Sequence, residues 1–274
     1  QGGIQMVKKL MKYELASYMR SLLPFQLILL GIALLHRFVQ LFENDGNAYW
    51  TFFSSSTAIF IIACIVTLVA TVALCIARFY KNMFTGEGYL SFTLPVTVHQ
   101  HIWAKLLSAI ICALVSAVAI LLACSIVTAG DAFVELWKAI CYLCNRAFDN
   151  IGGHFIAYIV EAVIMLVVVS AVSMLLFYTC IAVGQLAKKN RVLLAFGVFF
   201  GYYFACQILG TIAIIVLTTY GRQLGIYKLL SWIANNSPAT DHLVAAGLIV
   251  FNLILGTIYY LITQHIMKKK LNLE

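Results

Sequence analysis

Six long apolar stretches alternate with short polar ones along the chain, at about 24–42, 58–77, 98–127, 154–186, 192–219 and 243–262. Each is near or above the roughly 20 apolar residues that a helix needs to cross a bilayer. They are continuously apolar rather than alternating, which predicts helices and not the strands of a membrane β-barrel. The second is the strongest: 58–77 carries no charge, its helix is free to begin at Ala48, and Arg78 is expected to end it. The first is the weakest, because His36 and Arg37 lie near its far end, where they are expected to snorkel towards water. The fourth exceeds about 20 residues, so it tilts or protrudes.

Ahead of the first span, 6–23 has a different pattern. Val7, Met11, Leu15, Tyr18 and Leu22 recur at helical spacing, with Lys8, Lys9, Lys12 and Arg20 on the other side. That predicts an amphipathic helix lying in the membrane interface. Glu14 falls near its apolar edge and is expected to face protein. Pro24 then suits the first turn of the first span, where its missing N–H costs nothing. The expected division is therefore 1–23, a lead-in and interfacial helix, and 24–274, a six-helix transmembrane domain. No small-residue cleavage site follows the first apolar run, so a removable signal peptide is not expected.

The connections are informative. Residues 128–152 place Phe133, Leu136, Trp137, Ile140, Leu143 and Cys144 on one face of a short helix that Gly152 and Gly153 end. Residues 220–242 are too polar to span and too long for a turn. The stretch 78–105 is the longest polar interruption on the basic side. Within it Gly86 and Gly88 permit sharp turns around Glu87, Leu94 before Pro95 favours extended backbone, and Thr97–Gln100 has the form of a capping box that starts the third span. In that third span Ala109, Ala113 and Ala117 form a small-residue ladder for close helix approach.

Composition agrees with the pattern. Of 274 residues 63% are hydrophobic and 10% charged, and the mean hydropathy is +0.98, too few charges for a water-facing surface. The net charge of +8 is a topology signal. Thirteen lysines and arginines fall at the N-terminus, in 78–105, in the turn after the fourth span and at the C-terminus, against five on the other side. The positive-inside rule then places both termini and 78–105 in the cytoplasm. No basic soluble surface is left for a nucleic acid.

Candidate chemistry is sparse. There is no P-loop, no G-x-S-x-G and no H-E-x-x-H, so neither nucleotide hydrolysis nor another enzyme activity is expected of this chain. Six of the eight cysteines sit singly in apolar segments as packing residues. Cys141 and Cys144 form a C-x-x-C without a second ligand pair nearby, so no metal is expected. Glu161 is the only acid deep in a span. It reads either as a substrate contact or proton relay, or as an acid hydrogen-bonded to a neighbouring helix. Tyr202, Tyr203 and Phe204 read either as lining of a path for an amphipathic substrate or as ordinary interfacial aromatics. Gly197, Gly201 and Ala205 form a close-packing face, within one subunit or between two.

The run Phe79 to Val96, FYKNMFTGEGYLSFTLPV, with Lys105 following in the next helix, resembles a segment of the permease subunits of small bacterial type-2 ABC exporters. The M-x-K-x-L-x-K-Y-E-L pattern of Met6 to Leu15 is similar to the start of the same subunits. The resemblance covers about 45 residues by motif and the whole chain by topology. It implies a permease in the bacterial cytoplasmic membrane, paired with a second permease chain, identical or related. It implies two copies of a partner ATPase that binds ATP and Mg, with no cofactor in this chain. It implies a coupling helix in 78–105 that docks in a groove of that ATPase, the second and fifth spans along the route, and an outer gate at 220–242. The coupling residues expected are Glu87, Tyr89, Leu90, Phe92 and Leu94, whose apolar members are too many for free solvent. The alternative is an ATP-independent secondary carrier or channel, which needs inverted repeats or several buried ionisable groups.

Overall fold

The computed structural model describes residues 2–42, 46–85, 96–187, 189–221, 223, 225–235 and 239–269. Among these the chain is helical, with no strand. The helices are α1 (Gly2–Gln40), α2 (Asn47–Phe84), α3 (Val98–Val127), α4 (Asp131–Ile151), α5 (His154–Gly184), α6 (Arg191–Tyr220), α7 (Ile226–Asn235) and α8 (Ala239–Lys269). Six of them, α1, α2, α3, α5, α6 and α8, are long and apolar enough to cross a membrane. The chain is an α-helical, multi-pass membrane protein. It divides into two units, Gln1–Arg146 and Ala147–Glu274.

In the first unit α1, α2 and α3 pack against one another. Each presents one stripe at helical spacing. On α1 it is Tyr18, Leu22, Gln26, Leu29, Ala33 and His36; on α2, Phe60, Ala63, Thr67, Thr71, Cys75, Phe79 and Met83; on α3, His101, Lys105, Ser108, Cys112, Ser116, Ala119 and Ala123. The small residues of α3 let the other two helices approach closely. Midway along, each helix contributes one polar side chain to a shared contact: Gln26 Nε2 donates to Ser116 Oγ (3.3 Å), which is 2.8 Å from Thr71 Oγ1. Such groups must satisfy one another where no water reaches.

Four expectations need correction here. The helix does not break at Pro24: α1 runs through it, because the stripe Val7, Met11, Leu15, Tyr18 and Leu22 continues in register as Gln26, Leu29 and Ala33. Arg78 does not end α2. The helix continues to Phe84, because Cys75, Phe79 and Met83 extend the buried row by two further turns. His36 does not snorkel. It is 3% exposed, 2.8 Å from Ser56 Oγ and stacked on Phe60. Of the expected ladder on α3, Ala109 is buried and Ala113 half-buried, but Ala117 faces outward, and the seam runs on through Cys112 and Ser116.

In the second unit α5 packs on both α6 and α8, and α7 on α8. Thr179 of α5 donates to the Tyr259 carbonyl of α8 (3.0 Å) and lies 3.0 Å from Thr263 Oγ1. The close approaches occur at two glycines. A Cβ on Gly184 would meet Ala195 Cβ at 2.7 Å, and one on Gly256 would meet Val172 at 3.0 Å. Gly152, at φ +63°, ends α4 as anticipated, and its N–H closes the last turn on Phe148 O. Cys141 and Cys144 carry free thiols on α4.

Candidate functional site

The coupling residues Glu87, Tyr89, Leu90, Phe92 and Leu94 lie outside the described residues. The two helix ends that carry that loop are described, and both are fastened to α1. Lys105, in the second turn of α3, is 1% exposed. Its Nζ donates to Glu14 Oε1 at 2.5 Å. Asn82, in the last turn of α2, donates to the same oxygen at 3.4 Å. Glu14 thus reaches into the seam, as its place on the apolar edge of α1 suggests. Four residues earlier on α2, Arg78 donates to the hydroxyls of Ser17 and of Ser21 (2.9 Å to the latter), with its guanidinium 5.1 Å from the centre of the Tyr18 ring. The first turn of α3 has both halves of the capping box: Gln100 N donates to Thr97 Oγ1 at 3.4 Å, and Thr97 N to Gln100 Oε1 at 2.9 Å.

A single carboxylate therefore ties together three helix segments near the loop. A lysine and a carboxylate so far from water are stable only as a pair. The carboxylate's second oxygen has no partner among the described residues. The loop between Thr85 and Val96 has both its anchors fixed to α1.

In the second unit Glu161 is half-buried on α5, and it has company that sequence reasoning missed. Its Oε1 lies 2.8 Å from Nδ1 of His242, in the first turn of α8. His242 Nε2 lies 3.1 Å from Nδ1 of His154, at the start of α5. Tyr158 stacks on the His242 ring, 4.5 Å between centroids, and donates to Asp241 at 2.9 Å. With the carboxylate accepting at Nδ1, the other edge of His242 either accepts from His154 or donates to it. His154 and His242 thus meet nitrogen to nitrogen, with the Glu161 carboxylate on the opposite edge of His242. The ring nitrogens are used in sequence rather than pointed at one centre, and no group of ligands able to hold a metal ion occurs among the described residues. The only sequence clue was spacing: His154, Tyr158 and Glu161 fall at intervals of four and three on one face of α5.

The aromatics of α6 separate. Tyr202 turns inward, with its hydroxyl 2.5 Å from that of Tyr259, whereas Tyr203 and Phe204 face away from their unit at 56% and 61% exposure. Gly197, Gly201 and Ala205 also lie on exposed positions of α6, and a Cβ on either glycine would meet nothing within 4 Å. No protein-family model, no curated protein and no solved structure matches the chain.

Proposed function

We propose that the chain is the permease subunit of an ATP-driven exporter of the type-2 ABC class, forming a substrate path and receiving its energy from a separate ATPase. The observation that carries this reading is the Glu14–Lys105 ion pair. Glu14 lies in the M-x-K-x-L-x-K-Y-E-L stretch and Lys105 follows the EGYLSFTLPV stretch, so the two segments that carry the resemblance meet in one buried contact. A loop mounted in this way transmits force. A partner that pushes on 86–95 acts on α1, α2 and α3 together, and the spans rock as near-rigid bodies between two access states. Positive-inside counting puts the loop in the cytoplasm, where ATP is. In this reading a second permease chain completes the membrane domain, with the open Gly197 and Gly201 face of α6 available to it.

The test is co-expression with an ABC ATPase encoded beside the gene. The chain is expected to co-purify with it, and the complex to hydrolyse ATP. Replacing Glu87, Tyr89 and Phe92 with alanine is expected to abolish assembly or coupling. Retention of both in that variant sinks the docking role.

A second reading, a proton-coupled carrier that uses no ATP, is favoured by the Glu161–His242–His154 chain, a set of ionisable groups of the kind such carriers place in their spans. Uptake driven by an imposed proton gradient in vesicles holding this chain alone would support it over the first.

A further inference from the structure

The starts of α5 and α8 meet through two imidazoles. His154 is the first residue of α5, and His242 lies in the first turn of α8. Nδ1 of His154 is 3.1 Å from Nε2 of His242, with the ring centroids 5.2 Å apart. On its other edge, Nδ1 of His242 is 2.8 Å from Glu161 Oε1. An ionised carboxylate only accepts, so this Nδ1 carries a proton. The contact between the rings needs one more proton, on one of the facing nitrogens and not on the other.

The protons present therefore decide whether the contact exists. With His242 neutral, its Nε2 accepts and His154 donates from Nδ1. One added proton is tolerated, either on Nε2 of His154, or on Nε2 of His242 with His154 in its other tautomer. A second added proton puts an N–H on both facing nitrogens. At 3.1 Å no third atom fits between them, so the hydrogen bond is lost and two like charges adjoin. Glu161 and Asp241 offset charge nearby, but Glu161 bonds the opposite edge of His242 and Asp241 accepts from Tyr158, which stacks on that ring. The other described titratable groups at this end are Tyr220 of α6, Tyr227 and Lys228 of α7, and Asp149 of α4. All are exposed, and none bonds to either ring. His154 is itself exposed, so protons reach the pair. Deeper between the same two helices the contacts do not titrate: Val172 packs at Gly256, and Thr179 bonds the Tyr259 carbonyl and meets Thr263. We propose that His154 and His242 form a pH-sensitive latch between the starts of α5 and α8, closed while the rings hold at most one positive charge and open when both are charged. The inference rests on neither reading of function.

The full chain in neutral detergent is compared at pH 8 and pH 5, the limits between which imidazole ordinarily changes charge. Hydrogen exchange is followed at the amides of 243–246, which close the first turns of α8, and is corrected for the intrinsic effect of pH. Protection in wild type is expected to fall about fivefold at pH 5, the equivalent of one hydrogen bond. Glutamine both donates and accepts without titrating, so in His154→Gln the change is expected to stay below about twofold. The thermal midpoint is expected to drop more steeply with falling pH in wild type than in His154→Gln, because the unfolded chain binds protons that the closed latch refuses. His242→Gln gives the same reading from the other helix should His154→Gln fail to fold. Equal loss of protection in wild type and His154→Gln overturns the latch, as does full protection of wild type at pH 5. A loss that persists in His154→Gln and disappears in Asp241→Asn overturns it too, and assigns the effect to the carboxylate.

Discussion

Lys105 carries the heaviest demand of any single residue here. Its ammonium is withdrawn from water and held by one carboxylate oxygen. Truncating one member of such a pair leaves the other charge stranded, at a cost of about 3 kcal/mol. Lys105→Met is therefore expected to lower the thermal midpoint in detergent sharply. Glu14→Gln combined with Lys105→Met is expected to recover at least half of the loss, since no charge is then left alone. If the double variant is as unstable as the sum of the singles, the two residues are not coupled. Nothing local in the sequence announces this pair, because its members are 91 residues apart. Glu14 was visible only as an acid at the edge of an apolar face. His242 was hidden in the same way. It falls at the margin between a polar connection and a span, and its partners Glu161 and His154 are more than 80 residues away.

Helix ends were the features most open to reading, where their determinants sit within a few residues. Thr97 and Gln100 cap each other, so the start of α3 followed from four letters of sequence. Thr97→Ala is expected to cost about 1 kcal/mol and to speed hydrogen exchange at the first-turn amides of α3, with Thr97→Ser close to wild type. Unchanged exchange in the alanine variant would mean that tertiary packing alone holds that end. Arg78 and Pro24 misled for a shared reason. A charge or a proline signals where a helix leaves lipid or where one begins, but the packing rows of α1 and α2 pass through both residues without losing register. Pro24 sits inside α1 with its ring on the exposed side. Without an N–H it leaves the carbonyl of Arg20 short of its usual donor. Pro24→Ala restores that bond and is expected to raise the thermal midpoint by the equivalent of about 2 kcal/mol. A lower midpoint would show that the proline bend is itself packed against.

At the scale of the whole molecule, six spans were plain from composition and hydropathy, because lipid permits few other solutions for so apolar a chain. The grouping of spans into two sets, α1 with α2 and α3, and α5 with α6 and α8, was not visible. Every span is apolar on most sides, so the lipid-facing side and the helix-facing side look alike in sequence. Orientation is open to a test with native residues. Cys144 is exposed on α4, whereas Cys75, Cys112 and Cys180 are buried in spans. In right-side-out vesicles a membrane-impermeant maleimide is expected to label α4, and the label to fall in Cys144→Ser and vanish when Cys141 is replaced as well. Labelling of Cys144 only after the vesicles are opened would reverse the topology expected from the charge count.

The unbroken length of α1 has a mechanical meaning. Its 39 residues make a rod of about 58 Å, nearly twice the roughly 30 Å hydrocarbon core. Glu14 grips it a third of the way along, and His36, bonded to Ser56, grips it near the far end. Pivoted at its middle by 5°, such a rod sweeps each end by about 2.5 Å, as far as one hydrogen bond is long. Under the proposed export reading, a push delivered to Glu14 through Lys105 travels along this rod towards His36 and passes Pro24, where α1 lacks one backbone hydrogen bond.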